Sequence, residues 1–376
     1  MRKPFKTFLM TTGGIFGTLL VAVVAFTSLS PQLGGMPTKA DKEAYLKSGH
    51  YDAQEGKFVN LIPTREMTGS SMPSVMWKFL FHKSPQAAPP APLPQQPLDS
   101  LAITQKTPEM VRVTWFGHSA SLVEIAGQNI LLDPMLSVKM GPVSWATPQR
   151  YNRSLAIRPE KLPPIAAVLI SHDHYDHLDY ETIQKIKGKV GYFYVPLGIG
   201  PHLRAWGVAP AQIVEMNWGD SVKLPGLTLR CTPSRHFSGR GLTNRNSTLW
   251  CSWVMQAAAK RVFYTGDGGY GPHFAAIGRQ YGPFDLALVE CGQYNDSWAD
   301  IHMKPEQSVQ AARDVRAAVM LPVHWGAFTE SLHAWNEPVT RATAEAARLG
   351  QVITTPHLGE PVTLGTALPR ERWWEK

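Results

Sequence analysis

The chain has 376 residues, 44% of them hydrophobic and 18% charged, and a formal net charge of +8. That balance excludes general disorder and suits one large or two ordinary domains with sizeable cores. The basic excess fits an anionic partner such as a phosphate ester, anionic lipid or nucleic acid, but the lysines and arginines are dispersed rather than gathered in a run.

Cys231, Cys251 and Cys291 are far apart and form no C-x-x-C pair, which argues against a thiolate zinc site or a disulfide framework. The N-terminus is a different matter. Arg2, Lys3 and Lys6 precede a stretch from Phe8 to Leu29 that carries no charge, about the ~20 residues a membrane-spanning helix needs. Residues 1–30 are therefore expected to be a signal peptide or signal anchor. The run is long for a signal peptide's apolar core, which favours the anchor over cleavage near "AFT" at 25–27. Lys39, Lys42 and Lys47 on the far side weaken the charge contrast that would set orientation. The expected location is membrane-associated, exported to the periplasm or cell envelope, with the cytoplasmic face of the membrane as the alternative.

Residues 31–108 read as an N-terminal extension. Its first part is polar and turn-rich, "MPSVMWKFLFHK" at 72–83 suits a short amphipathic segment, and "SPQAAPPAPLPQQPLDS" at 84–100 carries six prolines and predicts an extended spacer. A compact catalytic domain is expected over 109–376. "VRVTWFG", "SLVEIAG" and "NILLDP" read as an antiparallel meander turning at Gly117 and Gly127. "AAVLIS" is a strand, "YETIQKIKG" a helix, "GYFYVP" a strand and "GPHLRAWGV" a helix. "LTLRCTPS", "TLWCSWVMQ", "KRVFYTGD" and "FDLALVE" follow as strands, then a helix from about Pro305 and the strand "AAVMLPVH". Two half-domains, each a sheet with covering helices, predict an α/β protein built as a four-layer αββα sandwich (an α+β sandwich) rather than one doubly wound sheet.

"SHDHYDHLD" at 171–179 packs His172, His174, Asp176 and His177 into one loop behind a buried strand. Imidazole nitrogens and carboxylate oxygens are the donors that suit zinc and similar ions. One loop cannot complete two metal sites, so further ligands must come from other strand ends, and His236, Asp267 and His324 each follow a predicted strand. The partition that results has His172, His174 and His236 on one ion, Asp176, His177 and His324 on the other, and Asp267 bridging. Two ions about 3.5–4 Å apart could hold a bridging hydroxide and clamp the oxygens of a displacement, which implies hydrolysis. Taken singly, His236 and His324 would read as hydrogen-bonded histidines and Asp267 as a turn former; the dense H-x-H-x-D-H cluster is what shifts the balance.

"SHDHYDHLD", with His236, "TGDGGY" and "LPVHWGAF", resembles the metallo-β-lactamase fold superfamily over about residues 110–360. "VTWFGHSASLVEIAGQNILLDP", "RHFSGRGLTNRNSTLW", "IHMKPEQSV" and "HWGAF" resemble, more narrowly, the N-acylphosphatidylethanolamine-hydrolysing phospholipase D branch. The resemblance implies a di-zinc phosphodiesterase that releases an N-acylethanolamine and phosphatidic acid. It adds His302, in "HMKPE", as a residue facing the substrate phosphate, so that Asp176 and His302 are the candidate catalytic residues. Where the family carries a small-residue "GAY", this chain has "ECGQY" at 290–294, which alters the pocket wall.

His118, in "FGHS", either approaches the site or hydrogen-bonds within the fold. Arg235, Arg240 and Arg245 could hold a phosphate or be surface arginines. Trp250, Trp253, Trp298, Trp325 and Trp335 suit a lipid-facing wall or an ordinary core. The expected partners are a phospholipid or other phosphodiester substrate and the membrane through the N-terminal segment. No nucleic acid is expected, and a homodimer is left open. The competing readings are a hydrolase of a soluble phosphorylated or lactone substrate, like the ascorbate 6-phosphate lactonases, and a non-catalytic metal-binding envelope protein.

Overall fold

The computed structural model describes residues 14, 17, 18, 21, 23–69, 71–143, 147–241, 243–258 and 260–376. Ahead of the main sheets come helix α1 (Lys39–Leu46), a hairpin of β1 (Tyr51–Asp52) and β2 (Lys57–Phe58), then helices α2 (Met72–Phe81) and α3 (Ser100–Thr104). Helix α1 starts where Thr38 and Asp41 form a reciprocal capping box, which satisfies amide groups that the first turn leaves open.

The first sheet opens with the expected meander: β3 (Arg112–Trp115), β4 (Ser121–Ile125) and β5 (Gln128–Leu132) are antiparallel neighbours. It continues in parallel through β6 (Ile165–Leu169), β7 (Val190–Pro196) and β8 (Ile213–Met216). Helices α4 (Tyr180–Ile186) and α5 (Gly200–Ala205) make the crossovers from β6 to β7 and from β7 to β8. The second sheet runs antiparallel from β9 (Ser221–Leu224) through β10 (Leu227–Thr232) and β11 (Ser252–Ala257) to β12 (Arg261–Tyr264). It then turns parallel through β13 (Phe284–Glu290), β14 (Ala317–Val323) and β15 (Val352–Ile353). Helices α6 (His273–Tyr281), α7 (Pro305–Asp314) and α8 (Glu337–Leu349) cover it, and β16 (Pro361–Thr363) returns to pair with β3.

Three cores make this four layers. Val113, Val123, Ile130 and Leu169 meet Leu229, Trp253, Tyr264 and Leu288 between the sheets. Leu131, Val168, Ile183, Ile186 and Leu203 fill the space under α4 and α5. Phe263, Val289, Phe274, Val309 and Ala346 fill the space under α6–α8. Strands covered on both faces do not alternate, which is why β4 is buried at every position and "NILL" reads as a continuous apolar run. Strands β8 and β9 and helices α6 and α8 were not anticipated; β9, with its half-exposed pattern, carries too little apolar signal to stand out.

The proline-rich stretch is not a free spacer. Leu93 is buried in the inter-sheet core and exchanges backbone hydrogen bonds with the Asn152 amide. The Gln96 N–H donates to the Leu358 carbonyl, the Leu98 N–H to the Ala156 carbonyl, and Ile103 of α3 is fully buried. Prolines keep this chain extended, but extended chain can still lie in a groove and bury its leucines. Tyr45 and Phe58 join the same core, so residues 31–108 pack on the sandwich instead of standing off from it. The uncharged run from Phe8 to Leu29 lies in large part outside the described residues. Among the described residues no helix is long and apolar enough to cross a membrane.

Candidate metal centre

Strands β5 and β6 are parallel, as are β12, β13 and β14, and the loops leaving their C-terminal ends carry the chemistry. The loop after β6 holds His172, His174, Asp176 and His177, and is closed by Asp179, whose carboxylate caps α4 at the Glu181 and Thr182 amides. Arg240 pins it from outside by donating to the Asp173 and Leu178 carbonyls at 2.6 and 2.8 Å. Asp267 follows β12 and His324 follows β14. A Cβ at Gly269 would sit 1.9 Å from the Asp300 carbonyl oxygen, so the glycines of "GDGG" let the Asp267 loop lie directly against the loop that carries His302.

All seven residues expected as ligands converge. His172, His174 and His236 form one group, with nitrogen separations of 2.9 Å from His172 Nε2 to His174 Nδ1 and 3.4 Å from His236 Nε2 to His174 Nδ1. Asp176, His177 and His324 form another, which also takes in His118. Asp267 Oδ2 stands between them, 3.1 Å from His177 Nε2, 3.2 Å from His324 Nε2 and 3.9 Å from His172 Nε2. Donor atoms at ~2.0–2.1 Å around a tetrahedral ion lie about 3.3 Å apart; the 2.9 and 3.4 Å separations of the first group and the 3.0 Å between His177 Nε2 and Asp176 Oδ2 in the second are close to that.

The rings are aimed by their second nitrogens. His177 Nδ1 lies 2.6 Å from Asp133 Oδ2 and His236 Nδ1 lies 2.9 Å from the Ile301 carbonyl, so each donates there and leaves Nε2 to the centre. His172 Nδ1 meets the Ser171 hydroxyl at 2.9 Å, and His324 Nδ1 meets the Ser119 hydroxyl at 3.2 Å. Asp133 also accepts from the Ser171 amide at 2.7 Å and the Tyr264 hydroxyl at 2.5 Å. Asp133→Asn is accordingly expected to weaken metal retention about 10–100-fold while the fold survives. Titration with a competing chelator measures it, and unchanged retention would leave Asp133 a purely structural residue.

Electrostatics favour a cation. Burial, reinforced by neighbouring imidazoles, holds His172, His236 and His324 well below the ordinary histidine range, and burial pushes His174 and His118 down to about 4. These rings are neutral and keep lone pairs to offer. Burial pushes the Asp267 carboxyl up to about 7, since its charge lacks solvent and enough positive charge nearby. Burial would lower His177 too, but Asp267, Asp176 and Asp133 outweigh it and hold the ring well above its usual range. His177 Nε2 and Asp267 Oδ1 are buried with no hydrogen-bond partner. Orphaned donors of these types, facing one point, fit divalent ions.

Three residues at the centre lie outside the expected ligand and catalytic set, and of these the sequence offers only His118 as approaching it. His118 stands in the site: its Nε2 is 2.7 Å from Asp176 Oδ2, and its backbone is zipped to the next loop by His118 N–H to Trp325 carbonyl and His324 N–H to His118 carbonyl bonds. His118 and His324 both have positive φ, at 54° and 65°, a strained conformation for histidine that sets both rings against the centre. Asp133 reads in sequence as a strand-end turn before proline. Glu290 ends β13 fully buried, accepts from the Met303 amide at 2.8 Å and lies 3.2 Å from His302 Nδ1. Burial holds the Glu290 carboxyl well above its usual range and holds His302 below its own. The hydrogen bond between Glu290 Oε2 and His302 Nδ1 ties the ring to the end of β13.

A cavity of about 330 Å³ opens over the centre, with His174, Asp176, Asp267, His302 and His324 on one wall. Met67, Val75, Phe79, Phe237, Trp298 and Ile301 supply its apolar lining, and Gln293 of "ECGQY", Glu66 and Glu330 complete it. Of the three arginines, only Arg245 lines this cavity, stacked 4.6 Å over Phe237 and paired with Glu66. Arg235 is bound to Thr64 and to the Pro63 and Tyr270 carbonyls, and Arg240 to the metal-loop carbonyls. Trp298 alone of the five tryptophans noted lines the cavity, whereas Trp250, Trp253 and Trp325 lie in the inter-sheet core and Trp335 packs against it.

Residues 128–325 match the model of the β-lactamase superfamily domain. The chain is 40% identical over 327 residues to an uncharacterised protein of Mycobacterium tuberculosis, covering 85% of this chain and 86% of that one. It is 33% identical over 228 residues to N-acyl-phosphatidylethanolamine-hydrolysing phospholipase D 1 of Caenorhabditis elegans, covering 57% of this chain and 64% of that protein. Among solved structures, a metallo hydrolase of the archaeon Ignicoccus hospitalis superposes with a TM-score of 0.50 at 26% identity, over 69% of this chain and 100% of its own. With the four-layer fold and a histidine–aspartate centre fit for a divalent metal already in place, the chain belongs to the β-lactamase superfamily as a metal-dependent hydrolase, and over part of its length it is similar to an N-acyl-phosphatidylethanolamine-hydrolysing phospholipase D.

Proposed function

We propose that this protein is a di-zinc phosphodiesterase of the phospholipase D type, acting on N-acylphosphatidylethanolamine-like lipids and held at the membrane by its N-terminal segment on the periplasmic or envelope side. The observation that carries the reading is one cavity lined both by histidines and aspartates of the two groups and by a set of large apolar side chains. His172, His174 and His236 would hold one ion, Asp176, His177 and His324 the other, with Asp267 shared. Ions held there supply Lewis-acid polarisation of a phosphoryl oxygen and an acidified water.

The chain's own residues do the rest. His302 lines the cavity, placed to donate to a phosphoryl oxygen as its charge grows, and Glu290 holds the ring through Nδ1. Asp176, 2.7 Å from His118 and 3.0 Å from His177, is held ionised by both rings and stays available as a ligand or acceptor. Met67, Val75, Phe79 and Trp298 shield the reacting centre from water and suit acyl or glycerol carbons. A wholly polar phosphate or lactone substrate would leave this wall without a partner.

The test is turnover of a panel: N-acylated and unmodified phospholipids, a soluble phosphodiester and a phosphorylated lactone, with zinc content measured on the same preparation. Preferential cleavage of the N-acylated lipid at about two zinc per chain is expected. Cleavage of the soluble substrates alone would replace the reading, and active protein free of metal would end it.

A further inference from the structure

Helix α2, Met72–Phe81, has two apolar faces. Val75 is buried against Trp298 and Ile301, and the Phe79 ring stacks on Trp298 at 6.2 Å, so this face is part of the cavity wall. The opposite face has no partner among the described residues. Met76, Trp77, Leu80 and Phe81 are 56%, 58%, 68% and 62% exposed, and the Trp77 and Phe81 rings lie 4.2 Å apart. Residues 76, 77, 80 and 81 share one side of a helix, so the four form a continuous patch. Among the described residues most large apolar side chains are buried; water is an unfavourable neighbour for a patch of four.

We infer that the outer face of α2 is a membrane-docking surface that inserts into the lipid interface and sets the cavity mouth against the bilayer. The inference deepens the proposed function and rests on it for the purpose of docking. The chemistry of the patch selects a lipid over a protein groove. Tryptophan and phenylalanine at the tip favour the boundary between headgroups and acyl chains. Lys78 on the helix and Lys83 just beyond it, the latter 5.2 Å from the Phe79 ring centroid, add positive charge beside the patch for anionic headgroups. The helix is also continuous with the site: Val75 and Phe79 stand one residue from Met76 and Leu80, so an acyl chain leaving the bilayer along α2 reaches the cavity without crossing water.

The native cysteines are all buried, which lets an environment-sensitive thiol dye be placed on the full-length chain at Leu80→Cys, with exposed Lys223→Cys on β9 as control. Vesicles of phosphatidylethanolamine and phosphatidylglycerol are expected to shift the Leu80→Cys dye to the blue and shield it from an aqueous quencher, leaving the Lys223→Cys dye unchanged. No shift at either position would overturn the inference. So would a shift that needs no vesicles and grows with protein concentration, because a second copy would then be the occupant. In a second arm, Trp77→Ser/Phe81→Ser should lower turnover of lipid in vesicles about tenfold and leave turnover of a soluble short-chain phosphodiester unchanged; equal losses on both would make the patch structural. The dye reads docking whether or not the protein cleaves phosphodiesters, so failure of the surface and failure of the proposed activity are separable.

Discussion

Asp267→Ala is expected to remove metal and abolish nearly all hydrolysis, with a loss on the order of 10³-fold or more. Among the described residues Asp267 is the only carboxylate whose oxygen lies within 3.9 Å of ring nitrogens from both groups, His172 on one side and His177 and His324 on the other. Without it each group keeps three side chains but loses the shared negative charge that couples them. Asp133 and Asp176 remain beside His177, but neither supplies an oxygen shared by both groups. Elemental analysis and turnover on one preparation give the check. Full metal content with full activity would place Asp267 outside the centre, as the turn former that its following glycines also suit. His324→Ala is the companion: the second group should empty or loosen, since Asp176 and His177 then remain with Asp267.

His302→Ala is expected to separate substrate chemistry from metal holding. His302 joins Asp267, Glu290 and His324 in a cluster, yet its Nδ1 is engaged by Glu290 and its ring lies parallel to that of His324 at 5.3 Å. A group that donates to the transition state should cost kcat about 10²-fold when removed, with a smaller change in KM and both ions retained. His302→Gln should recover part of the rate, because an amide donates a hydrogen bond but transfers no proton. Glu290 extends the test. Glu290→Gln keeps a hydrogen-bonding partner for His302 Nδ1 and should keep most of the rate, whereas Glu290→Ala frees the ring and should lower kcat about tenfold. Loss of metal in step with activity in His302→Ala would make it a ligand; full turnover would make it a bystander.

Much of the centre was legible because its logic is local. His172, His174, Asp176 and His177 stand so close in sequence that no fold could keep them apart, and His236, Asp267 and His324 announced themselves by following predicted strands. The strands were legible for the same reason: β5 and β6 are short apolar runs between turn residues, and their side chains must leave water whatever surrounds them. Sequence by itself thus determined the sandwich, the ligand loop and the candidate donors.

Tertiary structure decided what depends on contacts between distant segments. Asp133 and Glu290 carry no mark that separates a buried orienting carboxylate from an ordinary strand-end acid; only the meeting of β5 with His177 and Tyr264, and of β13 with His302, gives them their partners. The three arginines near His236 are alike in sequence, and packing alone sends Arg235 and Arg240 to backbone carbonyls and Arg245 to the cavity. Prolines in 84–100 state that the chain is extended and say nothing of what it lies against, which proved to be the Asn152 and Leu358 segments. Helix α2 is the sharpest instance: its apolar composition is plain in "MPSVMWKFLF", but which face is buried on Trp298 and which is left to the surroundings is fixed only by the surface it meets, because hydrophobic burial has magnitude in the sequence and direction only in the fold.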